Sequence, residues 1–200
     1  MSLFRLLLFG LCSLALGACA GPYVPQEGDI VFHTSRSAQS LAIQQATRSP
    51  YSHMGVVLMR DGQPHVFEAA RTVRYTPLRE WLDRGVGGHY VVKRLDPPPD
   101  PQAIARLHAA ARRFEGKPYD LAFAWSDRRI YCSELVWKLY RDALRIELAP
   151  PSRLGDFALD SPAVRAKLRE RYGANVPLDE PVIAPAAIFD SPSLVTVARR

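Results

Sequence analysis

The stretch His53-Met54-Gly55-Val56-Val57-Leu58-Met59-Arg60-Asp61-Gly62-Gln63-Pro64-His65-Val66-Phe67-Glu68-Ala69 sets the fold. Met54–Met59 reads as a strand, Arg60–Gln63 as a hairpin turn centred on Asp61-Gly62, and Pro64–Ala69 as the returning strand. That turn places Met59 opposite Pro64, Val57 opposite Val66 and Gly55 opposite Glu68, and opposite residues share a face of the sheet. Side chains alternate along a strand, so His53 lies on the face of Gly55 and Val57. Glu68 is then diagonal to His53, with a residue lacking a side chain between them. A carboxylate within Val66-Phe67-Glu68-Ala69-Ala70 is costly to bury alone. A hydrogen bond to His53 satisfies it and orients the ring. Taken singly, His53 reads as well as a core histidine and Glu68 as an edge carboxylate; the pairing favours a functional reading of both. His65 takes the opposite face. A one-residue bulge would break this register.

Outward from the hairpin, Gly28–Phe32 reads as a short strand. Ser37–Thr47 reads as a helix with Ser37 as N-cap, ended by Ser49-Pro50. Downstream come a short strand at Val73–Tyr75, a short helix at Pro77–Leu82 opening on its proline, and a strand at Tyr90–Leu95. Pro97-Pro98-Pro99-Asp100-Pro101 is a stiff connector. It divides a strand-rich half from a helix-rich half, each too small to be a domain. Helices are expected at Pro101–Phe114, Ser133–Leu144 and Pro162–Tyr172. The proline-rich tail from Pro177 is expected to be an extended wrap with little regular structure.

The length of 200 residues fits one domain with appendages, and 48% hydrophobic residues excludes a disordered chain. The net charge of +6 is spread out. Its densest pairs, Arg112-Arg113, Arg128-Arg129 and Arg199-Arg200, fall short of a nucleic-acid-binding patch, so no nucleic-acid partner is expected. No apolar stretch reaches the ~18 residues of a spanning helix. The first residues carry one basic side chain, Arg5, then an apolar run to Leu16 and the small-residue end Gly17-Ala18-Cys19. This pattern reads as a secretory signal over residues 1–18. Leu16-Gly17-Ala18-Cys19 resembles a bacterial lipobox, in which the signal is cut before a cysteine that carries a lipid. Residues 19–27 are then a lipid-anchored tether and residues 28–200 the domain. The residue after the cysteine is Ala20, not Asp, and resemblance to enterobacterial sorting rules then implies the periplasmic face of the outer membrane. The expected partner is therefore a membrane, through the anchor; oligomeric state is left open.

Cysteine usage follows from that address. Cys12 leaves with the signal and Cys19 is the lipidation site, so Cys132 remains as a lone thiol in an oxidising compartment. It stands just ahead of the helical pattern Ser133-Glu134-Leu135-Val136. Unpaired N–H groups and the positive end of the helix dipole stabilise thiolate there, which suits a nucleophile. The same N–H groups could hold an oxyanion. Five histidines are available as its base: His33, His53, His65, His89 and His108. His108 reads as surface, and His33 and His89 lie at strand edges without an obvious partner, which leaves His53. Tyr119, after Lys117-Pro118, could donate to a substrate carbonyl oxygen, although a packed aromatic is the plainer reading.

GDIVFHTSRSAQSLAIQQAT (28–47), SPYSHMGVV (49–57), FEA (67–69), GKPYD (116–120), WSDRRIYCSELVWKLY (125–140) and PLDEPVIAPAAIFDS (177–191) together resemble the YiiX/YebB-like group of NlpC-type, papain-like cysteine hydrolases. The resemblance covers nearly the whole chain after Pro25. His53 precedes Cys132, as in the circularly permuted branch, whose order lecithin–retinol acyltransferase-like enzymes share. The resemblance implies a single α+β, papain-like domain: a small antiparallel sheet packed against helices, with the cysteine at a helix N-terminus. It also implies Cys132 as nucleophile, His53 as base, Glu68 as orienting residue and Tyr119 near the oxyanion site. No metal or cofactor is called for. The expectation is a lipid-anchored envelope cysteine hydrolase of an amide bond, acting on peptidoglycan stem peptides or related amides. The alternatives are an acyl-lipid or N-acyl amino acid hydrolase or acyltransferase on an acylated small molecule, and a non-catalytic envelope binding module.

Overall fold

The computed structural model describes residues 23–200. The signal segment 1–18, the lipobox and Cys19 lie outside the described residues. Eight strands run in chain order: β1 (Ile30–His33), β2 (His53–Arg60), β3 (Gln63–Ala69), β4 (Val73–Pro77), β5 (Val91–Leu95), β6 (Ser152–Arg153), β7 (Pro181–Val182) and β8 (Leu194–Arg199). Six α-helices accompany them: α1 (Ala38–Thr47), α2 (Leu78–Asp83), α3 (Pro101–Phe114), α4 (Cys132–Leu144), α5 (Pro162–Tyr172) and α6 (Pro185–Phe189). The main sheet has the order β4-β3-β2-β1-β5-β8, with every pairing antiparallel; β6 and β7 form a separate two-stranded ladder.

The hairpin is built as its residues dictate. Asp61 and Gly62 both have positive φ, 53° and 72°, the conformation of a two-residue turn whose twist suits the flanking strands. Val57 pairs with Val66 and Met59 with Pro64. Continuing that register sets Gly55 against Glu68. A Cβ on Gly55 would lie 2.8 Å from the Phe67 carbonyl oxygen and 3.2 Å from Glu68 Cβ, so only glycine allows the strands this approach.

Strand alternation gives the sheet two apolar faces. Ile30, Phe32, Met54, Val56, Leu58 and Phe67 pack against α3 and α4 through Leu107, Phe114, Leu135, Leu139 and Tyr140. Val31, Val57, Val66 and Val92 pack on the other side against Leu78 and Trp81 of α2. His53 and Glu68 share the parity of this second face. At ~25 cal/mol per Å² of apolar surface removed from water, these two layers supply the main driving force for folding. Helix ends follow the sequence: Ser37 Oγ caps α1 through Ser40 N at 3.0 Å, and Asp100 Oδ1 caps α3 through Ala103 N at 2.6 Å.

Two regions depart from the sequence reading. The tail is not merely an extended wrap: α6 and β8 are regular, and β8 closes the sheet beside β5. Val195-Thr196-Val197, after Leu194, is a β-branched run that the upstream prolines obscure. Residues 23–27 of the tether are bound to the domain. The Tyr23 hydroxyl donates to Asp29 Oδ2 at 2.7 Å, and Glu27 Oε1 accepts from Met59 N at 2.8 Å. His108, expected at the surface, is only partly exposed and lies 2.6 Å from Glu27.

Candidate active site

The edge of the second sheet face carries a polar knot centred on Glu68. Its Oε2 lies 2.6 Å from His53 Nε2 and accepts from Trp81 Nε1 at 2.9 Å. Its Oε1 accepts from Thr76 Oγ1 at 2.7 Å and from an Arg84 guanidinium nitrogen at 2.6 Å. Burial alone would favour the neutral acid, but the bond and charge of His53 and the bonds from Arg84 and Thr76 hold the carboxyl well below its ordinary range. Glu68 is therefore a buried carboxylate with four donors around it, a partnership that makes its burial tolerable.

His53 uses Nε2 on Glu68, which leaves Nδ1 for the cleft. Burial opposes its charge, yet bonding to Cys132 and to Glu68, with the negative charge of both, raises it to about 9. The ring is thus held as imidazolium at neutral pH, the form that pairs with a thiolate. His33, opposite His53 in the β1–β2 register, is buried and stacked on Trp81 at 4.0 Å between ring centroids and 15° between planes. Burial, then the charges of His53 and Arg84, lower it to about 3, so it stays neutral. His33 does end β1 and its Nδ1 has no hydrogen-bond partner, but its ring packs between Trp81 and His53, 5.3 Å from the latter's centroid. Sequence showed no sign of this, since the Trp81 contact spans a separate helix.

Cys132 is the first residue of α4 and is buried. The helix start is braced from three sides. The Glu134 carboxylate accepts from Tyr131 N at 3.3 Å, Ser133 Oγ donates to the Ile183 carbonyl at 2.7 Å, and the Tyr131 hydroxyl accepts from Ile183 N at 3.1 Å. Lys138 Nζ joins Glu134 and Asp127, each at 2.7 Å, so the loop before the cysteine is tied to the helix behind it. Burial raises the Glu134 carboxyl to about 7 against the opposing pull of Lys138. The brace from Ile183 is a long-range contact that helical periodicity does not reveal.

Tyr119 sits beside this helix start. Its hydroxyl accepts from Gln39 Nε2 at 2.7 Å, which leaves its own proton free to donate. Burial, then the negative charge of Cys132, keep the phenol protonated. Gln39, in the first turn of α1, escaped sequence reading because 80 residues separate it from Tyr119.

The structure thus brings Cys132, His53, Glu68 and Tyr119 to one place, and two hollows meet there. One, about 680 Å³ with its mouth included, is lined by Cys132 and by apolar groups such as Ala42, Ile43, Phe123, Leu154 and Val182. The other, about 960 Å³ on the same basis, is lined by His53 and Tyr119 with Ser35, Ser37, Arg71 and Arg129. His65 and His89 are engaged elsewhere, with the Gln63 and Arg200 carbonyls.

Residues 24–198 match the model of a family described as permuted papain-like amidase enzyme, YaeF/YiiX, C92 family. A relative in Escherichia coli strain K12, the uncharacterized protein YiiX, is 49% identical over 187 residues, covering 94% of this chain and 93% of its own length. A crystal structure described as that of metalloprotein YiiX from Escherichia coli O157:H7 superimposes with a TM-score of 0.87 at 50% identity, covering 89% of this chain and 99% of that one. Among the described residues here, no group of three or more His, Cys, Asp or Glu is arranged to hold a metal ion. Both Glu68 oxygens are already engaged, Oε1 by Thr76 and Arg84 and Oε2 by His53 and Trp81.

Proposed function

The chain belongs to the family of permuted papain-like amidases, and from that premise we propose that it hydrolyses an amide through Cys132, His53 and Glu68. The carrying observation is the line from Glu68 through His53 Nε2, with the other ring nitrogen left for the sulfur at the start of α4. Cys132 thiolate attacks the amide carbonyl. First-turn N–H groups of α4 and the Tyr119 hydroxyl receive the developing oxyanion. The His53 imidazolium gives its proton to the leaving amine, and a thioester on Cys132 remains. Water then loses a proton to His53 and attacks the thioester, releasing a carboxylic acid and restoring the pair. Glu68 holds the ring and balances its charge.

The hollow beside Cys132 favours an apolar acyl group on the carbonyl side over a polar peptide. An acylated amide is therefore the proposed substrate, with the peptidoglycan stem peptide as the alternative. The address proposed is an exported lipoprotein anchored through Cys19 on the periplasmic face of the outer membrane.

The test is mass spectrometry of the domain incubated with a lauroyl amide or with a stem-peptide fragment. A lauroyl adduct on Cys132 that turns over, and that is absent in Cys132→Ala, supports the reading. Turnover of the stem peptide alone would replace the acyl reading. No adduct with either, together with a Cys132 inert to iodoacetamide, would favour a binding module.

A further inference from the structure

The leaving half of an amide must lie on the side of the group that protonates it, and the acyl half on the side of the sulfur. The two hollows divide in that way: the apolar one touches Cys132 and not His53, and the second touches His53 and not Cys132. The second therefore receives the amine product. Arg71 and Arg129 are the two charged side chains besides His53 that line it; no Asp or Glu does. Among the described residues, neither guanidinium forms a salt bridge or a side-chain hydrogen bond, so both are available to a ligand.

Both arginines are held at backbone level around Tyr119. The Arg71 carbonyl accepts from Tyr119 N at 3.1 Å. Arg129 precedes Ile130, which pairs with Tyr119 in a parallel bridge and whose N–H donates to the Pro118 carbonyl at 3.1 Å. The two cations thus flank the proposed oxyanion donor on separate segments. Free arginines in a cleft without acids, whose lining also includes the hydroxyls of Ser35, Ser37, Ser40 and Ser52 beside apolar Ile43, Ala69 and Leu121, suit a carboxylate, which a guanidinium can bind in two-pronged fashion.

We propose that Arg71 and Arg129 select a substrate whose leaving amine carries an anionic group, as in an apolar acyl chain linked to the nitrogen of an amino acid. This rests on the amidase reading above. Attack by Cys132 forms the C–S bond and breaks the C–N bond. The nitrogen takes the His53 proton and departs as an amino acid with its carboxylate between the arginines. Water supplies the oxygen and the proton that complete hydrolysis of the thioester.

Three substrates share one acyl chain: N-lauroylglycine, N-lauroylglycinamide and mono-N-lauroyl-ethylenediamine, whose leaving halves are anionic, neutral and cationic. The expected order of kcat/KM is anionic, neutral, cationic. About tenfold should separate the first two at low salt, the upper end for two exposed charge contacts, and the gap should shrink as salt rises. The double variant Arg71→Gln, Arg129→Gln should bring the ratio toward one, and Arg71→Glu, Arg129→Glu should invert it. Equal kcat/KM for the three in the wild-type enzyme, or a preference that survives both double variants, overturns the proposal while leaving the amidase reading intact. If none of the three is hydrolysed, the acylated-amide reading fails, and alkylation of Cys132 decides the rest. The iodoacetate-to-iodoacetamide rate ratio should fall several-fold in Arg71→Gln, Arg129→Gln if the cleft selects anions. An unchanged ratio overturns the proposal.

Discussion

Glu68 Oε2 stands between two ring nitrogens, 2.6 Å from His53 Nε2 and 2.9 Å from Trp81 Nε1, while its Oε1 serves Arg84 and Thr76. The carboxylate is thereby the joint of β2, β3, β4 and α2. Its role in orienting His53 cannot be separated from its role in holding α2 on the sheet.

That joint sets the outcome of Glu68→Gln. The amide oxygen can still serve His53 and Trp81, but its NH₂ then faces the Arg84 guanidinium. Arg84 is 35% exposed, so the loss is smaller than the about 3–5 kcal/mol of a fully buried pair, but the variant should be measurably less stable as well as slower. Glu68→Ala should be worse in kcat/KM, and Cys132→Ala should abolish acyl-enzyme formation. A folded Glu68→Ala with full kcat/KM would remove Glu68 from the site. The double variant of His53 and Glu68 should show a non-additive loss, since the two act as a unit.

The pH dependence follows from opposite shifts of the pair. Glu68 is depressed in the fold, so it contributes stability above its unfolded value near 4.5, and this is lost as pH falls below that. His53 is raised to about 9, so its contribution is full below about 6.5 and is lost as pH rises through about 9. Activity should therefore fall on a basic limb near 9, as the leaving amine loses its proton donor. Thermal melts of wild type and His53→Gln should differ most between about pH 4.5 and 6.5 and converge above 9. A difference that grows with pH would contradict this assignment.

Gly55→Ala should be among the most damaging single-methyl changes in the sheet. The added Cβ meets the Phe67 carbonyl and Glu68 Cβ, so β2 and β3 must separate where the His53–Glu68 pair is held. A drop in Tm together with a drop in kcat is expected. A Tm within a degree of wild type would show that the strands part freely.

Cys19→Ser tests the proposed anchor. It should prevent lipidation at Leu16-Gly17-Ala18-Cys19 and change the membrane fraction of the exported protein. A mature wild-type chain carrying unmodified Cys19 by mass spectrometry would sink the lipoprotein reading.

The part of this site that was legible in the sequence is the part governed by local geometry. Asp61-Gly62 imposes a two-residue turn, the turn imposes the register, and parity along two short strands puts His53 and Glu68 on one face before any packing is known. The place of Cys132 at a helix start is local as well, read from the apolar spacing that follows it. The remaining partners were decided by tertiary structure alone. Trp81 and Arg84 reach Glu68 only because α2 folds back over the sheet, and Thr76 because β4 pairs with β3. Gln39 reaches Tyr119 across 80 residues, Ile183 braces the start of α4 from the tail, and β8 finds its strand partner in β5. None of these contacts has a period or a turn to announce it. Each exists because burying two faces of one sheet brings distant polar groups together, where they must pair with one another once water is gone.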